Sequence, residues 1–284
     1  MILARLQRCL ALGIVPISPF LGCAESQADP DLHTLEAGVL KVCLYPGFAP
    51  FSSKNGQGEW VGWDITYLNA FAAAEGLRFQ PVEVTNYDGI WNKPARGTCD
   101  IAASGISDIP DRRASSGAQV DWSQHYYSVL RALLVRLDDE HKPNTIDDLR
   151  NRTVIVTSNS TADHDIRNRL ARAGITTTTI LTTTNEEDAA HKVLDAGDSG
   201  EPFTYAGGLG SVQYLASQLG GLAVAWPHCN MLADGSEVNE PFSFVVRTDS
   251  SGVLDALNGF ISNRVPPYEG RDETDPQCSP EPSG

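Results

Sequence analysis

The chain has 284 residues, 41% of them hydrophobic, and carries a net charge of −15 from 36 acidic against 21 basic side chains. That length holds one large or two medium domains and can bury a substantial core. The acidic balance speaks against nucleic acid or an anionic membrane surface as a partner, because both need a basic face. A local anion site stays open, since local charge can oppose the total.

The first 23 residues predict a targeting segment. Arg5 and Arg8 make a short basic start, and an apolar stretch runs from Cys9 to Leu21, interrupted by Pro16 and Pro19. It is too short for a secure membrane span. It ends Phe20-Leu21-Gly22-Cys23, similar to a bacterial lipobox with phenylalanine in place of the usual leucine. The expectation is a signal peptide over 1–23, with Cys23 lipidated as the first mature residue. Soluble export with cleavage nearby is the alternative. Either places the protein in the periplasm or at the cell surface, touching the membrane only through a lipid anchor. Residues 24–37 are polar and acidic and read as a tether.

Of six cysteines, setting aside Cys9 and Cys23 leaves Cys43, Cys99, Cys229 and Cys278. Four cysteines in an oxidising compartment allow three pairings. Cys43 and Cys99 lie near strand segments that can be neighbours, and Cys229 can tether a tail at Cys278. One bridge with two buried thiols fits equally. No CxxC occurs, so zinc and redox chemistry have no motif.

Leu40–Leu44 reads as a first strand, followed by the turn-rich Pro46-Gly47-Phe48-Ala49-Pro50-Phe51. A helix is predicted from Thr66 to Glu75, ended by Gly76. Phe79–Val84 is a second strand, with Pro81 pointing to an edge or a bulge. A helix over Ile90–Arg96 and a third strand over Asp100–Ala103 follow. Val129–Arg136 is a strongly apolar strand pattern. A second α/β set then begins with a strand at Thr153–Val156. The helix from Thr161 to Ala173 puts Ile166, Leu170 and Ala173 on one face. A threonine-dense strand over Ile175–Thr184 precedes helices over Glu186–Ala196 and Leu209–Leu219. A late strand, Phe242–Arg247, and a last helix, Val253–Ile261, can return to the first set. From Arg264 onward the chain is rich in Pro, Glu, Asp and Ser and reads as a disordered tail. Alternating strands and helices predict an α/β fold. The expected organisation is one lobe over 38–127 plus 242–263, a second over 128–241, a cleft between them, and a tail over 264–284.

One stretch suits an anion. Ala103-Ser104-Gly105-Ile106-Ser107-Asp108-Ile109-Pro110-Asp111-Arg112-Arg113 runs from a strand end, through small residues expected to have free amides, into a helix opened by proline. Helix N-termini favour negative charge. Arginine grips a carboxylate with two parallel charge-assisted hydrogen bonds.

Other motifs stand in a specific order around it. They are Lys41-Val42 with Phe48-Ala49-Pro50-Phe51, Val61-Gly62-Trp63-Asp64, Tyr87-Asp88-Gly89, Cys99-Asp100-Ile101, Val120-Asp121-Trp122-Ser123 with Tyr126-Tyr127, and Leu149 to Thr161. In these, from about Leu40 to Ile261, the chain resembles the bacterial periplasmic solute-binding proteins of polar amino-acid ABC transporters, family 3. The resemblance implies a two-lobed periplasmic-binding-protein fold of type II, each lobe a mixed sheet flanked by helices, with the ligand cleft between lobes. It implies an extracytoplasmic binding protein of an ABC importer for a small carboxylate-bearing solute, most simply a polar amino acid or a relative. It also implies a membrane permease as partner, no cofactor and no metal. Closure is expected about hinge strands near Tyr127–Leu130 and Asn239–Phe242.

Site roles carry over position by position. Phe48 and Tyr87 fall where the family places aromatics against the ligand side chain. Ser104 and Gly105 offer backbone groups, Ser107 a hydroxyl, and Arg112 the grip on the ligand carboxylate. Arg113 has no family role and is expected in solvent. Thr157, Ser160 and Thr161 match second-lobe residues that touch the ligand, and they also read as a helix N-cap. The departures are informative. The second-lobe aspartate that pairs with a ligand ammonium falls on Tyr205 or Ala206, and neither is acidic. An ammonium buried without a counter-charge is costly. Either Glu201, Asp198 or Asp163 substitutes, or the ligand has no α-ammonium. Tyr45 replaces an acid often seen with basic amino acids, which disfavours lysine and arginine. Ile109 replaces the usual threonine cap, leaving Asp108 to cap the helix.

Two alternatives stand beside transport. Some family relatives are periplasmic dehydratases of cyclic carboxylates, and Asp163, Glu201 or His164 would serve as acid or base. A ligand-sensing lipoprotein is the other. No GxSxG, HExxH, Walker loop or Rossmann fingerprint occurs, and catalysis is not expected.

Overall fold

The structure is a computed structural model and describes residues 32–196, 202–263 and 278. The first lobe begins with β1 (Val39–Leu44). A small piece follows, made of β2 (Gly47–Phe48), β3 (Ser52–Lys54) and β4 (Trp60–Val61). Then come α1 (Trp63–Ala74), β5 (Arg78–Glu83), β6 (Ile101–Ala102), α2 (Pro110–Ser116) and β7 (Val120–Trp122). The chain leaves through β8 (Tyr127–Val129). The second lobe contains β9 (Arg131–Arg136), β10 (Thr153–Thr157), α3 (Thr161–Arg172), β11 (Thr179–Thr183) and α4 (Glu186–Asp195). It continues with β12 (Phe203–Gly208), α5 (Leu209–Leu219), β13 (Leu222–His228), β14 (Asn230–Met231) and β15 (Glu237–Val238). β16 (Glu240–Phe242) returns the chain, and β17 (Val245–Arg247) and α6 (Val253–Asn263) finish the first lobe.

Each lobe has a five-stranded mixed sheet, ordered β5-β1-β6-β17-β7 in the first and β11-β10-β12-β9-β13 in the second. β8 and β16 pair antiparallel, Val129 against Glu240 and Tyr127 against Phe242, and form the ribbon between lobes. β1 is buried at every position except Lys41, as expected of a strand covered on both faces. Pro81 sits in the edge strand β5, where a missing amide is tolerated. Gly62, the N-cap of α1, has φ 131°; a side chain there would meet the Phe51 carbonyl. In the first lobe Tyr126 stacks on Phe244, with ring centroids 4.0 Å apart, and Phe260 packs against Tyr67 and Phe71. In the second lobe Val154, Val156, Ile166 and Leu170 pack on one face of the sheet. Ile155, Val193, Tyr205 and Val212 pack on the other.

Several expectations need correction. The helix over Ile90–Arg96 is two 3-10 turns, Ile90–Asn92 and Pro94–Arg96, because Pro94 lacks the amide that would join them. The strand pattern over Val129–Arg136 breaks at Leu130, where the chain passes from ribbon to sheet. The late strand is likewise two pieces, β16 and β17. The threonine-dense strand shortens to Thr179–Thr183. The end of the expected tether is docked: His33 N–H donates to Ser251 O, and Leu35 N–H to Asp100 Oδ1. Cys23, the expected signal segment and nearly all of the expected tail lie outside the described residues. Asp108 does not cap α2; the N-cap is Ile109, without a side-chain bond. Asp108 instead binds Arg113, His125 and Ser243, so Arg113 is paired rather than merely solvated. These partners overcome burial and draw the Asp108 carboxyl down to about 2.

Of the three pairings the structure has one, with both bridges formed, Cys43–Cys99 and Cys229–Cys278. The first ties β1 to the approach to β6 across a separation of 56 residues. Closing a loop of that length restrains the unfolded chain. Cys43→Ser with Cys99→Ser is expected to lower stability by about 2–4 kcal/mol in urea denaturation. A loss near zero would show that the bridge contributes nothing.

Candidate functional site

The lobes meet where the segment after β6, the first turn of α2, the ribbon, and the N-termini of α3 and α4 converge. The floor is built on Asp64, fully buried in the first turn of α1. Its Oδ2 accepts from the amides of Ser104 and Gly105, both at 2.8 Å, and from the Tyr126 hydroxyl at 3.0 Å. Burial pushes the Asp64 carboxyl up to about 6, against the pull of those bonds. The amides of Ser104 and Gly105 are therefore taken, not free as the sequence suggested. Ser104 has φ 101°, unusual for a residue with a side chain, and its Oγ accepts from Tyr45 N–H and Ser52 Oγ. Gly105 accepts from the Tyr87 hydroxyl, and Phe48 stacks on Tyr87 at 5.3 Å. Phe48 also covers Gly105 so closely that a Cβ there would lie 2.5 Å from the ring.

Arg112 stands over this floor, 4% exposed. Its guanidinium carbon lies 4.6 Å from the centre of the Trp91 ring and 5.5 Å from that of Tyr87. Nη1 donates to the Ser107 carbonyl at 3.3 Å, and Nη2 is buried with no hydrogen-bond partner. The aromatic faces hold the cation by its carbon-rich side.

Beside it lies a charged knot shared by the ribbon and both lobes. Glu240 is fully buried and accepts from the hydroxyls of Ser107 and Thr161, the latter at 2.6 Å. Arg131 Nε approaches Glu240 Oε2 at 2.8 Å, and Nη1 donates to Thr161 Oγ1 at 3.2 Å. Ser107 and Thr161, from opposite lobes, are 3.4 Å apart. Asn159 also reaches across, donating to Asp88 at 3.2 Å. Gly47 makes a backbone approach: a Cβ there would stand 3.0 Å from the Thr184 carbonyl of the other lobe.

On the second-lobe side Tyr205 is buried and donates to Glu186 Oε1. Its hydroxyl lies 3.4 Å from Thr157 Oγ1. Glu186, the first residue of α4, is 2% exposed, and its Oε2 has no hydrogen-bond partner. Burial drives the Glu186 carboxyl up to about 8, with the hydroxyls of Tyr205 and Ser211 and the Arg131 charge opposing. The Tyr45 hydroxyl is pushed up to about 12 by burial and then by Glu186. Ser160 spends its Oγ as the N-cap of α3, accepting from Asp163 N–H at 3.2 Å.

The structure thus brings Phe48, Tyr87, Ser107, Arg112, Thr157, Thr161 and Tyr205 to the lobe boundary. Ser104 and Gly105 lie beneath it, and Ser160 serves its helix. Of the acids offered as ammonium partners, Asp163 is engaged with Arg167 and the Asn159 amide. Asp198 and Glu201 lie outside the described residues, and His164 is exposed. Sequence reasoning missed Asp64, Trp91, Arg131, Glu186 and Glu240 as members of the site. A signal existed for Arg131, an ionisable residue inside an apolar run. Glu186 looked like an ordinary acid in a helix first turn.

Two α/β lobes joined by a two-stranded ribbon, with buried charge at their seam, define a two-lobed solute-binding architecture. The profile of the Bacterial extracellular solute-binding proteins, family 3, matches residues 40–265, and the chain belongs to that family. The arginine-binding protein ArgT of Corynebacterium glutamicum is 33% identical over 106 residues, 35% of this chain and 34% of that protein. A probable histidine-binding protein of Neisseria gonorrhoeae is 28% identical over 153 residues, 53% and 54% of the two chains. An enzyme also matches: the cyclohexadienyl dehydratase of Pseudomonas aeruginosa, 33% identical over 99 residues, 35% and 34%. The chain thus spans between a third and about half of the length of these curated relatives. The arginine-bound, truncated ArgBP from T. maritima superposes with a TM-score of 0.65 at 19% identity. That match covers 80% of this chain and 96% of that one, and it establishes the two-lobed fold.

Proposed function

We propose that this protein is the extracytoplasmic receptor of an ABC importer. Its ligand is a small carboxylate-bearing solute, of which a polar amino acid is the simplest. The carrying observation is Arg112, buried between two aromatic rings at the lobe seam with Nη2 unpartnered. A buried guanidinium N–H without an acceptor is costly, and a ligand carboxylate removes that cost. Ser107 and Thr161 bring hydroxyls from opposite lobes onto Glu240, and contacts of this kind, made only in the closed form, bias the open–closed equilibrium. The relatives named for arginine and histidine support the amino-acid reading, and a membrane permease is the partner that closed, liganded protein would meet. Export fits the two disulfides. A lipid at Cys23 is part of the proposal. Catalysis is the weaker reading, because His164 is exposed and Asp163 is held by Arg167.

The test is a thermal-shift screen of amino acids, deaminated analogues and cyclic acids. A ligand at a hundred times its Kd stabilises by about 2.7 kcal/mol. Arg112→Ala is expected to abolish the shift while the protein still unfolds cooperatively. If no small carboxylate moves the wild-type Tm, or if the variant binds as well, the reading fails.

A further inference from the structure

A crevice of about 670 Å³ runs along the lobe boundary, walled by Tyr45 and Gly47 on one side and by Glu186 and Tyr214 on the other. Its volume lies within the roughly 300–1,000 Å³ of small-molecule sites. Its charge is one-sided. Glu83, Glu186, Glu187 and Asp188 line it against Lys54, and Lys54 is already bonded to Glu83. Glu186 lines it and is 2% exposed; one carboxylate oxygen is held by Tyr205, and the other makes no hydrogen bond, with the Ser211 hydroxyl beside the group. Tyr45, on the crevice wall, stands between it and Arg112, which does not itself line the crevice. The Tyr45 ring lies 5.7 Å from Tyr87, which in turn carries the Arg112 guanidinium at 5.5 Å.

We propose that Glu186 is the counter-charge for a cationic nitrogen of the ligand, received in this crevice. The ligand is then a carboxylate that also bears an amine or a guanidinium. The inference rests on Arg112 binding the carboxylate. The groups facing Glu186 are Tyr205 from β12, Ser211 from α5, Arg131 from β9 and Tyr45 from the loop after β1. Arg131 is the only cation among these, and Glu240 neutralises it. The neighbours on its own helix, Glu187 and Asp188, are exposed acids. Glu186 holds its proton up to about pH 8 without ligand, so pairing with a cation must release that proton. Affinity for amine-bearing ligands therefore rises with pH toward 8, by up to about tenfold per unit.

The experiment is calorimetric titration of wild type, Glu186→Gln and Arg112→Ala at pH values of about 6.5 and 8. The probes are hexanoate, ω-aminohexanoate, L-norleucine and L-lysine. Wild type should prefer an amine-bearing probe to hexanoate by about tenfold or more. Glu186→Gln should lose that preference and the pH dependence, and leave hexanoate unchanged. Tighter ω-aminohexanoate assigns a distal nitrogen, and tighter norleucine an α-nitrogen. Unchanged affinity in Glu186→Gln, with Arg112→Ala inactive, overturns this inference alone. If no probe binds wild type, or Arg112→Ala binds every probe normally, the carboxylate reading fails and takes this one with it.

Discussion

Glu186→Gln is expected to make the unliganded protein more stable at pH 8 while weakening its grip on amine-bearing ligands. The carboxyl stands at about 8 in the folded chain against 4.5 for the free group. Below pH 4.5 it is protonated in both states and costs nothing. Between 4.5 and about 8 the unfolded chain sheds the proton and the folded chain keeps it, so stability falls as pH rises. At 1.36 kcal/mol per unit the whole span amounts to roughly 4–5 kcal/mol, an order-of-magnitude ceiling. Asp64, raised to about 6, adds a smaller loss of the same sign at lower pH. Asp108, lowered to about 2, acts the other way: its contribution is complete above the ordinary carboxylate range and is lost in acid. Glutamine keeps an acceptor for Tyr205 and has no proton to lose. Urea midpoints across this range should slope downward for the wild type and flatten in the variant. Parallel profiles would mean that Glu186 is solvated.

Glu240→Ala carries the other large cost. Its carboxylate is wholly buried, paired with Arg131 and bonded to hydroxyls from both lobes. Removing it leaves a guanidinium in the interior without a counter-charge, which destabilises by about 3–5 kcal/mol. Exchanging both partners, Arg131→Met with Glu240→Leu, should recover much of that, because the double change also removes the desolvation penalty. Chemical denaturation of the wild type, Arg131→Met, Glu240→Leu and the double variant forms the cycle. A loss under about 1 kcal/mol in Glu240→Ala would show that water reaches the knot.

The lobes and their elements were legible because they are written in local patterns. The apolar β1 and β10, the amphipathic α3 and the edge proline Pro81 each state their own place. Motif order singled out both Arg112 and Tyr87, which the structure sets side by side, and gave no sign of Trp91 on the other face of the guanidinium. Less legible were the groups whose meaning depends on distant partners. Nothing near Asp64 says that its carboxylate will occupy the Ser104 and Gly105 amides, 40 and 41 residues away. Glu240 acquires its role from Ser107, 133 residues earlier, and from Arg131. Glu186 reads as a helix-start acid until α4 is docked against Tyr205. Buried charge is a property of tertiary contact, and a local window does not contain it.

Gly47 has a mechanical meaning where two lobes meet across a seam. Its α-carbon faces the Thr184 carbonyl across the seam with no room for one more carbon. A methyl group there would press on the Thr184 carbonyl across the seam and, within its own lobe, on the Tyr45 ring, whose hydroxyl would stand 2.9 Å away. Whatever the ligand, its measured affinity would then fall by the fraction of molecules still able to close. Under the proposed closure, the absence of a side chain at Gly47 is what lets the rims of the two lobes come this close.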